Sequence, residues 1–333
     1  MEGLAKNYIK KVHIELTRFC NLNCMYCINK KDGAELKHER LIKLLDELAD
    51  AGAFHITFTG GEPFTLKKIF YYIEQARDRG FRVDILSNGT LINQGMAKKL
   101  YDYGINEAGV SLYGASEETY EAFTGKRMFK KAVEGIENLL AAGIKVYIAY
   151  NINAVTCNDT PLINSLFVNR RDVELKFSTG VSAGRHCDQT LTKCKIPLEQ
   201  ILPKLKQWGV IIKSYEKPVE PSPKSVDPLP CHAGTERCYI AADGKVFPCA
   251  VFPMEAGNIY KQPLKEIWRK SECFNALRKL KCEDYIDCKV CEFKKTCMFR
   301  CPAQSQAVTN TFVKCPEQAY TSIKALHDFW KEL

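Results

Sequence analysis

Six times between Lys11 and Trp208 a short apolar run is followed by a segment with helical spacing, and this repetition constrains the fold more than any other feature of the chain. The runs cover Lys11–Thr17, Phe54–Thr59, Arg82–Ser87, Glu107–Tyr113, Lys145–Asn151 and Val173–Ser178. In the first, Val12, Ile14 and Leu16 fall on one face of a strand. Helices are expected over Glu35–Ala51, Leu66–Arg79, Gln94–Tyr103, around Phe129–Leu140, over Leu162–Asn169 and near Leu198–Trp208. Leu41, Leu44, Leu45 and Leu48 make one face of the first helix, and Gly52 ends it. Strands alternating with helices run parallel, because each helix carries the chain back across the sheet. Periodicity leaves open whether this α/β sheet is doubly wound or curls into a barrel. Either way, ligand sites gather at the C-terminal ends of the strands.

The chain of 333 residues is long enough for one large domain and a smaller one, and its 46% hydrophobic content is ordinary for a globular protein. No run approaches the ~18 apolar residues of a membrane span. Met1–Lys11 is charged and has no apolar signal core, so a cytoplasmic protein with no membrane partner is expected. Sixteen cysteines in that compartment read as metal ligands rather than disulfides. The net charge of +9 is spread over many lysines without a basic tract, so nucleic acid is not an expected partner. The charge fits a solvated lysine-rich surface or an acidic partner.

Cys20, Cys24 and Cys27 follow directly on the first strand in the spacing C-x3-C-x2-C, and the next cysteine is Cys157. Three thiolates serve three irons of a four-iron cluster, which ordinarily takes four cysteines. The fourth iron is then open to a non-protein ligand, as in a catalytic rather than a closed metal site. A zinc knuckle with a distant fourth ligand is the structural alternative. With Tyr26 before its last cysteine, the triplet resembles the signature of the radical S-adenosylmethionine (radical SAM) enzymes. The resemblance implies a partial (β/α)6 TIM-type barrel with SAM bound to the open iron. It also implies that Gly60-Gly61-Glu62-Pro63 holds the methionine amine, the glycines admitting close approach of a ligand and Glu62 binding the ammonium. Ser87 and Asn88, before Gly89, and Ser111 take positions that line the SAM ribose and carboxylate. An ordinary turn and a satisfied strand hydroxyl are the plain readings of the same residues. Asn151 or Asn153, and Ser182 to Arg185, sit where adenine or substrate contacts fall. Arg127 is either solvated or paired with the SAM carboxylate.

Pro218, Pro221, Pro223, Pro228 and Pro230 mark 214–230 as a linker between a core at 1–213 and a second region at 231–333. In that region Cys231-x12-Gly244-x4-Cys249 is followed by Cys288-x2-Cys291-x5-Cys297-x3-Cys301 and by Cys315. This spacing resembles the SPASM domain, a small cysteine-rich module. The resemblance implies two auxiliary [4Fe–4S] clusters, one on Cys231, Cys249 and Cys301 and one on Cys288, Cys291, Cys297 and Cys315. With the first triplet the chain would carry three [4Fe–4S] clusters and SAM. Cys238 is the expected fourth ligand of the first auxiliary cluster; an open iron is the alternative. Zinc is the competing metal, since C-x2-C pairs also suit zinc ribbons. Cys157, Cys187, Cys194, Cys273 and Cys282 fit no ligand pattern and read mostly as buried thiols.

By resemblance, the chain is a maturase that cleaves SAM reductively and uses the 5′-deoxyadenosyl radical to abstract hydrogen from an unreactive carbon. The expected substrate is a ribosomally made peptide receiving a thioether, a carbon–carbon crosslink or an epimerised centre, because Val110–Ser116 resembles the peptide-modifying members. The alternatives are a protein side chain, as in sulfatase maturases, and a tetrapyrrole or other cofactor precursor. Ala250 weighs against the former, where an aspartate follows the second SPASM cysteine. A reading of another class is a non-catalytic metal- or nucleic-acid-binding module. The first strand starts within the first dozen residues, so a separate leader-binding protein is the expected partner for a leader-bearing peptide. A flavodoxin or ferredoxin is the expected reductant.

Overall fold

The computed structural model describes residues 8–210, 212, 215, 216 and 230–332. All six expected strands are present: β1 (Lys11–Glu15), β2 (His55–Thr59), β3 (Arg82–Ser87), β4 (Glu107–Leu112), β5 (Lys145–Asn151) and β6 (Val173–Ser178). The helices between them are α1 (His38–Asp50), α2 (Ile69–Asp78), α3 (Gln94–Asp102), α4 (Glu117–Thr124), α5 (Phe129–Ala141) and α6 (Thr160–Phe167), and α7 (Leu198–Gln207) follows β6. Leu41, Leu44, Leu45 and Leu48 of α1 are fully buried against the sheet, each contributing about 1.5–3 kcal/mol. The helix α4 lies outside the expected set. Its signals are local: the Ser116 hydroxyl caps it by accepting from the Thr119 N–H at 3.1 Å, and Gly125 ends it at φ 70°.

The strands lie in the order β6-β5-β4-β3-β2-β1, all parallel and without reversal. A doubly wound sheet reverses direction at a switch point; this one does not, which makes it a partial barrel. Its closure is pre-empted from an unexpected side. The C-terminal strand β7 (Arg237–Ile240) pairs in parallel with β1, Val12 opposite Cys238, and carries β8 (Lys245–Phe247) and β9 (Gly257–Asn258) as an antiparallel extension. The cysteine-rich region is therefore built onto the barrel's own nine-stranded sheet. It continues through α8 (Leu264–Lys270), α9 (Glu272–Lys279), α10 (Pro302–Thr309) and α11 (Glu317–Lys331), which returns to pack on α7.

The linker expected at 214–230 falls outside the described residues apart from Tyr215, Glu216 and Pro230. The backbone carbonyl of Tyr215 accepts from the Trp330 indole at 2.9 Å. Among the described residues no helix is long and apolar enough to cross a membrane.

Candidate active site

A cavity of about 880 Å³ opens at the C-terminal ends of β1 to β4. Cys20, Cys24, Cys27, Tyr26, Gly60, Gly61, Ser87, Asn88 and Ser111 all line it. Residues distant in sequence are thus gathered on one wall, because parallel strands deliver their C-terminal loops to the same edge. Tyr239 and Ala250 of the C-terminal extension complete the lining.

Main-chain hydrogen bonds fix the cysteine loop. Gly61 N–H donates to Thr17 O at 2.6 Å and Glu62 N–H to Phe19 O at 2.9 Å. On the other side, Asn23 N–H donates to Thr124 O at 2.7 Å and Met25 N–H to Phe123 O at 2.9 Å, so α4 helps to hold the loop. The Asn88 amide donates to Asn21 Oδ1, and the Asn21 amide to Thr90 Oγ1, each at 2.8 Å. The two glycines line the cavity and are also crowded by backbone. A Cβ on Gly60 would stand 2.5 Å from Thr17 O, and one on Gly61 would stand 2.3 Å from Phe19 O. They admit the backbone of the cysteine loop itself.

Glu62 also differs from expectation. Its carboxylate is fully buried, and it is not among the residues lining the cavity. It accepts from Asn88 N–H at 2.8 Å, Phe64 N–H at 3.1 Å and the Ser87 hydroxyl at 3.0 Å. These donors fix the β3 loop against the turn after Gly61. Glu62→Gln puts an NH2 against donors on every side and is expected to destabilise the protein by about 1–3 kcal/mol. Burial pushes the Glu62 carboxyl up to about 7, against the pull of the Asn88 and Phe64 N–H groups and the Ser87 hydroxyl. A carboxyl raised above its ordinary 4.5 gives stability that is whole below that pH and lost as pH rises through about 7. Urea unfolding should therefore show the wild-type advantage over Gln narrowing across that window. A widening advantage would mean that the anion is the favoured form.

Pro63 opens the short turn after Glu62 and is buried. Asn151 does not line the cavity. Its amide is spent on Gly180 O at 2.9 Å and Ser178 Oγ at 3.2 Å, and its carbonyl accepts from Thr156 Oγ1 at 2.6 Å. Asn153 is completely buried beside it. Arg127 is an exposed partner of Glu118 at 2.6 Å and Glu121 at 3.0 Å on α4, away from the cavity.

Burial pushes the Cys20 and Cys24 thiols up, Cys24 to about 12, and neighbouring thiols of the triplet push both further. Three thiols facing one cavity, two of them held neutral by burial and neighbouring sulfur, suit a cationic metal core, which inverts that balance. The C-terminal cysteines form two sets. Burial, then Cys301 and Cys231, raises Cys249 to about 11; burial, then Cys231, raises Cys301; and burial, then Cys249, raises Cys273 to about 12. Cys315 is raised to about 11 by burial, then by Cys288 and Cys297 and, more weakly, Cys291. Among the described residues no group of three or more His, Cys, Asp or Glu converges on a single-ion site. A cluster gives each thiolate its own iron, so its ligands stand wider apart than those of one ion.

Cys238 belongs to neither set. It lies on β7 opposite Val12 in the main hydrophobic core, 2% exposed. Side chains alternate along a strand, and its neighbour Tyr239 faces the cavity, so Cys238 points away from it. Burial pushes its thiol up to about 12, opposed by Arg278, with no contribution from another cysteine. The strand position gives no support to a fourth ligand for Cys231, Cys249 and Cys301, since burial raises this thiol without any neighbouring cysteine. Cys238→Ala is expected to keep its full iron content and lose about 1 kcal/mol of packing; loss of iron would restore the ligand role.

The sequence reading missed a buried charged junction behind the cavity. Glu15 is fully buried and accepts from Arg18 Nε at 2.9 Å, Arg185 Nη2 at 3.0 Å and the Tyr239 hydroxyl at 2.9 Å. Arg18 continues to Asp32 at 2.7 Å and to Asp243 at 2.9 Å. Arg185 donates to Ala250 O at 2.9 Å and Asn29 Oδ1 at 3.0 Å, with its guanidinium over the Tyr239 ring. Arg185 was expected near adenine or substrate; it instead ties the segment after Cys27 to the segment after Cys249. A glutamate ending an apolar strand was the available signal.

Family models match the chain twice: the radical SAM superfamily over residues 14–159 and an iron–sulfur cluster-binding domain, SPASM, over residues 231–298. The chain is a radical SAM enzyme with a C-terminal SPASM domain. SAM and iron–sulfur clusters are the cofactors of such an enzyme. This radical SAM enzyme is 29% identical to an AdoMet-dependent heme synthase of Methanosarcina barkeri, over 90% of this chain and 93% of that protein. It is 24% identical to a PqqA peptide cyclase of Granulibacter bethesdensis, over 89% of this chain and 83% of that one. The structure of anSMEcpe with bound AdoMet and Cp18Cys peptide has the same fold, with a TM-score of 0.74 at 18% identity over 97% of this chain and 96% of that one.

Proposed function

We propose that this enzyme cleaves SAM reductively within the 880 Å³ cavity and modifies an unreactive carbon of a ribosomally made peptide. The observation that carries the reading is the convergence of Cys20, Cys24 and Cys27 with Gly60, Gly61, Ser87, Asn88 and Ser111 on one cavity wall. In this reading the three thiolates hold a [4Fe–4S] cluster with one open iron. Cys231, Cys249 and Cys301 hold a second cluster, and Cys288, Cys291, Cys297 and Cys315 a third. When bound, cluster and SAM supply the electron and the carbon radical that takes hydrogen from the substrate. The chain's own residues supply position. Asn21 and Asn88 fix the cysteine loop, Glu62 fixes the β3 loop, and the aromatic wall of Tyr26, Tyr113 and Phe123 keeps water from the reacting carbon. Peptide modification is supported by the PqqA cyclase relative and by the peptide held in the anSMEcpe structure. A leader-binding protein and a flavodoxin or ferredoxin complete the proposed system.

The second reading is a tetrapyrrole substrate, favoured by the heme synthase relative, whose identity over comparable coverage is 29% against 24%. Anaerobic reconstitution tests both. The loaded protein should form 5′-deoxyadenosine with dithionite. Mass spectrometry should then find a product from a candidate peptide encoded beside the enzyme, or from a porphyrin. A colourless zinc protein that leaves SAM intact would overturn both.

A further inference from the structure

Among the described residues, the cavity lining contains no acidic side chain. Its basic side chains are His13, Arg18, Lys31 and Lys126. Two of these carry no free charge. Arg18 is neutralised by Glu15, Asp32 and Asp243. His13 is pushed down to about 4 by burial and by Lys11 and Arg237, so its ring is neutral near pH 7.

Lys31 and Lys126 remain, and they flank the same residue. The Lys31 ammonium donates to Asn23 Oδ1, a neutral amide. Lys126 follows Gly125, where a Cβ would stand 3.3 Å from that of Asn23. No ion pair to Lys126 or Lys31 occurs among the described residues, and the nearby acids are committed: Asp32 to Arg18, Glu118 and Glu121 to Arg127. Bound cofactor does not neutralise them either. SAM carries a sulfonium and an ammonium against one carboxylate, and three thiolates outweigh the charge of the iron–sulfur core, so the two contributions oppose each other. Beside the lysines the wall is aromatic. Tyr113 stacks on Phe123 at 4.8 Å, Tyr26 meets Phe123 edge-on at 5.2 Å, and Phe19 at the rim is 60% exposed.

We propose that Lys31 and Lys126 form a carboxylate-binding site at the mouth of the cavity, and that the substrate presents an anionic group next to an apolar body. The inference rests on the reading of the cavity as the SAM-cleaving site. A carboxylate could come from the substrate or from SAM itself; the pair serves the substrate, because a cofactor alone leaves both ammonium groups uncompensated.

The test measures equilibrium binding to the reconstituted full chain of three probes: SAM, a glutamate-rich peptide and coproporphyrin. The variants are Lys31→Gln, Lys126→Gln, the double variant, and the double Arg variant. The double Gln variant should bind SAM within about two-fold of wild type. It should bind whichever carboxylate probe the wild type accepts about 10–100-fold more weakly, the scale of charge-assisted hydrogen bonds. Added salt should weaken that probe's binding to wild type and leave the double Gln variant nearly unaffected, and the double Arg variant should restore binding. An equal loss of SAM affinity would assign the lysines to SAM and overturn the proposal. Unchanged probe binding, or a wild type that binds neither carboxylate probe, would also overturn it. Formation of 5′-deoxyadenosine by wild type checks the underlying reading separately, since it requires neither probe.

Discussion

Replacing Cys20, Cys24 and Cys27 together with alanine is expected to remove roughly four irons per chain and abolish 5′-deoxyadenosine formation. The three thiols line one cavity, so single replacements would leave a partly held cluster whereas the triple variant leaves no site. The C-terminal cysteines lie in sets that exclude these three. Iron and visible absorbance attributable to the SPASM domain should therefore survive. Iron analysis, EPR of the dithionite-reduced protein and chromatography of the nucleoside product check the three statements separately. Persistent SAM cleavage in the triple variant would remove the triplet from the chemistry.

Glu15→Ala is expected to destabilise the protein by about 3–5 kcal/mol, the cost of stripping a buried ion pair of one partner. Arg185 and Arg18 are only 1% and 4% exposed at their side chains. Without Glu15, Arg185 keeps only the neutral acceptors Ala250 O and Asn29 Oδ1 and has no carboxylate. Arg18 still has Asp32 and Asp243, so most of the loss falls on Arg185. The double replacement Glu15→Leu with Arg185→Met should recover much of the stability, because removing both charges also removes their desolvation. Urea denaturation of the unreconstituted chain measures this without interference from metal. A Glu15→Ala variant within about 1 kcal/mol of wild type would show that the junction contributes little.

The six strand–helix units were legible because their signals are local, while the choice of a barrel over a doubly wound sheet came from the resemblance. Apolar period and turn residues repeat six times, and each unit could be read from its own dozen or two residues. The strand that joins the SPASM region to the barrel was not legible. Arg237–Ile240 is four residues long, and its partner β1 lies more than two hundred positions away. Nothing in either segment announces the other, since parallel pairing depends on which sheet edge the intervening chain leaves open. The place of Cys238 followed from this, because β7 sets its thiol opposite Val12 in the core. For Gly60, Gly61 and Glu62 the sequence located the residues, and the structure added backbone contacts that their spacing did not announce. A glycine shows that something comes close, not whether it is backbone or ligand.

The sequence alone determined the composition of the site: the cysteine spacings, the motif loops after strands two to four and the order of the strands. These are properties of neighbours along the chain, where bond geometry and period leave few choices. Tertiary structure decided the allegiance of each group: which thiols lie near one another, that Glu62 faces a loop rather than the cavity, and that Glu15 bridges two arginines. It also decided that, among the described residues, the lining holds two lysines without an ion pair and no acid. Charge balance and thiol proximity depend on distances across the fold, and those are fixed only when distant segments share one sheet edge and one buried junction.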